Sequence, residues 1–264
     1  SLEEYKRIKY SKEEWNVQYQ KFEEFIKVYL CNNSEKQWEL QVYEKDLIFF
    51  GSDQIWEEKI TGKDKKIYFG DFDTKARKVS YAASCFSETS VLSDYMISNL
   101  RRFDKISVRE QAYADKLKKI LSKEVIVVSD PVFLLDSKSY ESLICKSNNK
   151  EPYVLFYFVN EDPELQKIST HIKNKFNKRI IEIHYYKLNN YPEEDKIYSA
   201  GPLEFLRLFY CASEIYTNSF HGTAFSIIFH KCFYSLSNNM RINNILHIMN
   251  LESRKITSYE DWID

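Results

Sequence analysis

Short runs of β-branched and aromatic residues alternate along this chain with stretches of helical period, and this alternation narrows the available folds more than any other feature. The runs Leu47 to Phe50, Val79 to Ala82, Ile106 to Val108 and Val125 to Val128 each end in small or polar residues, as strands do. From Lys12 to Leu30 the residues Trp15, Tyr19, Phe22, Phe25, Ile26 and Tyr29 recur at helical spacing, with charged residues between them, so an amphipathic helix is expected there. A second helix is expected from Arg109 to Leu121, with Tyr113, Leu117 and Ile120 or Leu121 along one face. Strands apolar on both faces and alternating with helices are parallel strands covered on both sides.

The pattern restarts beyond Asp130-Pro131, after the polar stretch Lys146 to Lys150, which reads as a linker. Strand Tyr153 to Val159 precedes a helix from Pro163 to Phe176 that aligns Leu165, Ile168, Ile172 and Phe176. Strand Arg179 to Tyr185 follows, then a helix from Pro202, a residue suited to a first helical turn. Strand Ile215 to Thr217, helix His221 to His230 and strand Cys232 to Leu236 complete the series. The expectation is an α/β protein of two Rossmann-like parallel-sheet units, 1–145 and 150–264, facing each other across a cleft. No internal repeat or low-complexity segment interrupts it.

Composition excludes several partners. With 264 residues and a hydrophobic fraction of 44%, the chain can bury a sizeable core. Lysine and arginine number 38 against 39 acids, so the net charge of -1 speaks against nucleic acid, and an anionic ligand must be held by a local site. The longest apolar runs, Val154 to Val159 and Phe225 to Phe229, fall far short of the roughly 18 residues that span a bilayer. No secretory signal is read at the start, so a cytoplasmic setting is expected. The five cysteines, Cys31, Cys85, Cys145, Cys211 and Cys232, lack metal or redox spacing and are expected to be reduced. Twenty Tyr and 18 Phe fit an aromatic core better than a dedicated sugar platform.

In open parallel sheets, ligands bind beyond the carboxyl ends of strands. Those positions here are Gly51 to Gln54, Ala83-Ser84, Arg109-Glu110, Asp130-Pro131 and Asn218 to Thr223. In the last, Ser219 and Thr223 can cap a helix whose free N–H groups and dipole attract an anion. His221 sits in that first turn, where the dipole favours a neutral imidazole available for proton transfer; it could equally serve only to hydrogen-bond the cap. Arg109 and Arg241 each have two readings, a guanidinium fork for a carboxylate or phosphate, or a structural ion pair. Asp53 can act as a base or sugar-hydroxyl acceptor, or can join Ser52 in capping a helix. The other histidines, His171, His184, His230 and His247, are scattered, so no bound metal is expected.

Taken in order, Phe50-Gly-Ser-Asp-Gln-Ile-Trp56, Ser80-Tyr-Ala-Ala-Ser84, Ser107-Val-Arg-Glu110, Ser129-Asp-Pro-Val132 and Thr217-Asn-Ser-Phe-His-Gly-Thr-Ala-Phe-Ser226 resemble the polysaccharide pyruvyl transferase family, from about Tyr19 to Arg254. The resemblance implies a fold like the two-domain GT-B glycosyltransferases. It also implies transfer of pyruvate from phosphoenolpyruvate onto two hydroxyls of a sugar as a cyclic ketal, in bacterial capsule, exopolysaccharide or cell-wall synthesis. His221, Arg109 and Arg241 match the family's donor-site groups, and Ser219, Gly222 and Thr223 join them on the donor side. Ser52, Gln54 and Ser84 are expected on the acceptor side, with the N-terminal unit binding the acceptor. His221 is assigned as general acid or aid to phosphate departure, and Asp53 as base. Phosphoenolpyruvate is a co-substrate and no cofactor is expected. A saccharide acceptor is expected, with lipid linkage, nucleotide linkage and peripheral association at the inner face of the membrane left open. Family members open with a glycine- and asparagine-rich strand-loop-helix, and none precedes Ser1, so the N-terminal unit reads as incomplete. Two alternatives remain open at this point, a GT-B-type glycosyltransferase using a nucleotide sugar and a catalytically silent glycan-binding relative.

Overall fold

A computed structural model describes residues 2–30, 45–85, 92–144, 151–187, 194–236 and 239–263. The first series of elements is α1 (Leu2–Phe25, continuing as a π-helical turn over Ile26–Leu30), β1 (Leu47–Phe50), α2 (Glu58–Thr61), α3 (Lys65–Tyr68), β2 (Arg77–Ser80), α4 (Asp94–Leu100), β3 (Ile106–Val108), α5 (Gln111–Leu121), β4 (Val125–Val127) and α6 (Ser137–Glu141). The second is β5 (Val154–Phe158), α7 (Pro163–Phe176), β6 (Ile180–His184), β7 (Lys196–Ile197), α8 (Pro202–Cys211), β8 (Glu214–Thr217), α9 (Phe220–Ile228), β9 (Cys232–Leu236), α10 (Met240–Ile248), β10 (Lys255–Ile256) and α11 (Tyr259–Ile263). This is the α/β class read from the alternation of strands and helices. The linker read at 146–150, and with it Cys31 and Cys145, lies outside the described residues.

Two compact units emerge, a larger one from Ser1–Ser34 with Leu135–Asp264 and a smaller one from Glu35–Leu134. In the larger unit six strands pair in the order β10-β9-β8-β5-β6-β7, all parallel. Counted with β5 as the first strand and read from β7, that is 3-2-1-4-5-6, the doubly wound Rossmann order. The chain leaves β5 towards β6 on one side and later towards β8 on the other, so the carboxyl ends of β5 and β8 form the switch point of the sheet.

Local chemistry explains the helices that cover this sheet. Asp162 caps α7 by accepting from the Glu164 and Leu165 N–H groups, Pro163 occupies the first turn, and Asn177 ends the helix in the left-handed region. Its Leu165, Ile168 and Ile172 pack on Val154, Phe156 and Phe158. On the other face, Tyr157 meets Phe205 and Phe209 of α8 edge-on, and Phe205 meets Phe225 of α9. The aromatic excess is thus largely core.

The smaller unit carries the parallel pairs β1-β2 and β3-β4, and parallel bridges at Val79↔Lys105 and Ala83↔Val108 join them. Its core gathers Phe50, Trp56, Phe69, Phe103 and Leu117. β2 begins and ends two residues before the expected Val79 to Ala82. Lys78 is turned inward, its ammonium donating to the Gly70 carbonyl at 2.5 Å, and Ala82 leaves the strand with φ at 52°.

This grouping differs from the expected split into 1–145 and 150–264. Side chains of α1 reach the 185–204 region: Trp15 donates to the Tyr185 carbonyl at 2.9 Å, Gln18 to that of Ala200 at 3.0 Å and Lys21 to that of Ser199 at 2.9 Å. Tyr140 on α6 likewise packs edge-on against Phe225. Tertiary contacts, hydrogen bonds for α1 and ring packing for α6, place both segments with the larger unit. Among the described residues no helix is long and apolar enough to cross a membrane.

The contact of α1 with the start of α8 is close. A Cβ added at Gly201 would lie 2.6 Å from the Cβ of Lys21, which is near the helix backbone and can yield little. Gly201→Ala is therefore expected to cost about 1–3 kcal/mol through overpacking, read as a lowered urea midpoint with an unchanged slope.

Candidate functional site

At the switch point the segment after β8 is fixed mostly by its own side chains. Thr217 donates to the Tyr157 carbonyl at 2.9 Å and accepts from the Ser219 N–H at 3.0 Å. Asn218 ties this loop to the one after β5, accepting from the Val159 N–H and donating to the Asn160 carbonyl, both at 2.9 Å. Ser219 caps α9 by accepting from the Gly222 N–H at 3.2 Å. Thr223 donates to the Ser219 carbonyl at 2.9 Å and pairs with Ser235 at 2.7 Å. At Gly222 an added Cβ would lie 2.4 Å from Thr217 Oγ1, so only glycine lets α9 start this close to β8. Ser219, Gly222 and Thr223 are all buried and spend these groups on the turn itself.

What this scaffold presents is His221, half-buried in the first turn of α9, its ring edge-on to Phe220 with centroids 5.3 Å apart. The Arg241 guanidinium lies 5.9 Å from the centroid of the same Phe220 ring, a cation–π distance. Asn239 places it there by capping α10, accepting from the Arg241 N–H at 2.9 Å. An imidazole and a guanidinium from two helix starts are thereby gathered around one aromatic ring.

His221 also lines a pocket of about 470 Å³ within the larger unit, together with Phe22, Tyr157, His184, Phe205 and Phe225. His184 is a site residue that sequence reasoning passed over. It closes β6, a strand-end position like those of the other candidates, but it shares no loop with them in the sequence. Its Nδ1 lies 3.0 Å from Glu161 and its Nε2 2.9 Å from Glu182, while its ring stacks on Phe158 at 4.5 Å.

Burial by itself would lower the His184 value, but hydrogen bonds and charge from Glu161 and Glu182 outweigh it and hold the imidazole above the usual histidine range. For Glu182, burial pushes upward and hydrogen bonds from His184 and Ser169 pull further down, leaving it below the usual carboxylate range. Histidine stabilisation of this sign is complete below the unfolded value of about 6.5 and is lost as pH rises through the raised one. The Glu182 contribution is complete above about pH 4.3 and is lost as pH falls through the lowered value. Both are fully present only in the mildly acidic window between. Denaturant midpoints are accordingly expected to fall from pH 6 to pH 9, and His184→Gln is expected to flatten that dependence; an equal slope in both proteins would rule the bridge out as its source.

The remaining candidates share the smaller unit. Arg109, buried at the end of β3, is ion-paired with buried Asp130 and, at 2.9 Å, with Asp53, which is 56% exposed. Asp130 also accepts from the Val132 N–H at 3.0 Å. Asp53 adopts φ of 68° in the loop after β1 and pairs with Arg109, while α2 takes its cap from Glu57. Ser52 is half-buried beside it. Ser84 is fully buried and donates to Glu110 at 2.6 Å. Gln54 Nε2 is buried with no hydrogen-bond partner among the described residues. The structure thus joins Asp53 to Arg109 in one unit and His221 to Arg241 in the other. Among the described residues no three His, Cys, Asp or Glu side chains form a metal-holding group. Removing Arg109 strands a buried carboxylate, so Arg109→Ala is expected to cost about 3–5 kcal/mol in chemical denaturation, whereas a near-neutral result would mean Asp130 is solvated.

A doubly wound parallel sheet, with a half-buried histidine after β8 and an arginine after β9, defines a Rossmann-like α/β protein. The model of the polysaccharide pyruvyl transferase family matches residues 3–240, and the chain belongs to that family. Among solved structures it is similar to a functionally uncharacterized protein from Klebsiella pneumoniae subsp. pneumoniae, with a TM-score of 0.51 and 16% identity over 92% of this chain and 86% of that one. At that identity the likeness speaks for the fold. No curated protein matches the chain.

Proposed function

We propose that this protein transfers pyruvate from phosphoenolpyruvate onto two hydroxyls of a surface-polysaccharide saccharide, forming a cyclic ketal, in the cytoplasm at the inner face of the membrane. Family membership supports a pyruvyl transferase. The observation that carries the donor assignment is the gathering of His221 and Arg241 around Phe220 at two helix starts. Phosphoenolpyruvate carries a carboxylate and a phosphate, which a guanidinium and helix N–H groups can hold without a cofactor.

In the reaction the methylene carbon gains a proton and one sugar hydroxyl bonds to the adjacent carbon. The carbon–oxygen bond to phosphate then breaks, and a second hydroxyl closes the ring. Two hydroxyl protons are released; one balances the new methyl group and the other leaves with inorganic phosphate. We assign His221 to deliver the proton or to assist phosphate departure. Within the smaller unit Asp53, the exposed partner of Arg109, is the carboxylate suited to accept a hydroxyl proton.

Incubation of the protein with phosphoenolpyruvate and acceptor glycans, read by mass spectrometry, tests this. The expected product is heavier by one pyruvate less one water, with stoichiometric phosphate. His221→Ala is expected to lower turnover by about two to four orders of magnitude while the fold is kept. Transfer of a sugar from a nucleotide sugar, or donor binding without turnover, would replace this reading.

A further inference from the structure

His184, buried at the end of β6, has a carboxylate at each ring nitrogen, Glu161 at Nδ1 and Glu182 at Nε2. Glu161 belongs to the short loop between β5 and α7, and Asn218 grips that same loop. Its side chain accepts from the Val159 N–H and donates to the Asn160 carbonyl, both at 2.9 Å. Asn218 in turn precedes Ser219, the cap of α9, and His221 follows two residues later. A run of hydrogen bonds and neighbouring residues thus joins the His184 imidazole to the turn that carries His221, all within the larger unit.

We propose that His184 is a positioning residue for the loop from Thr217 to Thr223, bracing it through Glu161, Asn160 and Asn218; the assignment rests on the pyruvyl-transfer reading above and adds a pH response to it. With a proton on both ring nitrogens, His184 donates to both carboxylates. Burial opposes that charge and the two carboxylates outweigh it, so the second proton is held above the usual histidine range. When it leaves, one ring nitrogen turns a lone pair to a carboxylate, and one bridge must open. Glu182 is the partner kept: its side chain is only 6% exposed, Ser169 donates to it at 2.5 Å, and the Lys196 ammonium lies 4.0 Å away. Glu161, with 30% of its side chain exposed, can turn to water, where an unpaired carboxylate costs far less. Its release frees the loop that Asn218 grips. The brace is therefore present below the raised His184 value and is lost as pH rises through it. The ring also faces Phe158 and Tyr198, with the Lys187 ammonium over Tyr198, and His221 lines the same pocket. Because His221 is itself titratable, the brace is read from variants and not from the wild-type profile alone.

Two readouts on the full chain test this, one of them without substrate. In isotope-labelled protein, the Asn218 side-chain NH2 and the Ser219 amide resonances are expected to shift with the same midpoint as the His184 ring, above about 6.5, and to lose that step in Glu161→Ala. In steady-state transfer, kcat/KM for phosphoenolpyruvate is expected to fall at least about tenfold through that midpoint, as misplaced reacting groups do. Glu161→Ala, on a partly exposed loop, is expected to show the alkaline level at every pH. Glu161→Gln can turn either its oxygen or its NH2 group to the ring, so it bridges both forms of the imidazole and is expected to keep the acid level throughout. Wild-type kcat/KM in Glu161→Ala at about pH 6, or Asn218 and Ser219 resonances that keep the same step in that variant, would overturn the proposal. Transfer accompanied by resonances that ignore His184 sinks the brace alone. Resonances that follow His184 with no pyruvyl transfer to any acceptor sink the pyruvyl reading alone.

Discussion

Strand β5 is hydrogen-bonded on both edges, to β6 and to β8, and buried on both faces, with Val154, Leu155 and Phe156 fully enclosed. This double pairing is what reverses the strand order of the larger unit, because the chain must travel to one side for β6 and return to the other for β8. The reversal opens a crevice at the carboxyl ends, and Asn218 holds its two loops together through backbone hydrogen bonds. His221, which lines the aromatic pocket, is carried by α9, the helix that follows β8 at this crevice. Burying each large apolar side chain of β5 stabilises by roughly 1.5–3 kcal/mol, so the reversal rests on one of the best-anchored strands.

A chain with nearly balanced charge has to create its local fields by pairing, and the interior shows how. Arg109 sits between Asp130 and Asp53, His184 between Glu161 and Glu182, and the Lys78 ammonium on the Gly70 and Phe72 carbonyls. Each arrangement lets a charge be buried by giving it close partners, at the cost of making those partners interdependent. Arg241 adds a different kind of contact, its guanidinium lying 5.9 Å from the centroid of the Phe220 ring.

Much of this was legible beforehand where a signal is local. The strands at 154–158, 180–184, 214–217 and 232–236 and the helix at 163–176 lie within a residue or two of their expected positions, because apolar runs and caps are written in neighbouring residues. Strands β7 and β10 escaped notice: each is two residues long, at the sheet edge, with a lysine first and no apolar run to mark it. Helices α2 and α3, a single turn each, escaped for the same reason. Within the site, the loop from Thr217 to Thr223 stood out as a cap, but the division of labour inside it did not. That Ser219, Gly222 and Thr223 hold the turn while His221 faces the pocket depends on Thr217, Tyr157 and Ser235, which come from three strands.

By itself the sequence determined the α/β class, the parallel strands, the family motifs in their order and the strand-end loops that bear polar groups, since each follows from periodicity or from adjacent residue types. Only the tertiary structure decided that α1 belongs with the larger unit, that Arg109 pairs with Asp130 and Asp53, that Arg241 shares an aromatic ring with His221, and that His184 joins the same pocket. Those choices bring together residues from about 20 to more than 180 positions apart in the chain. Side-chain pairing over such separations is set by which faces the sheet and its helices bury, and no local pattern records it.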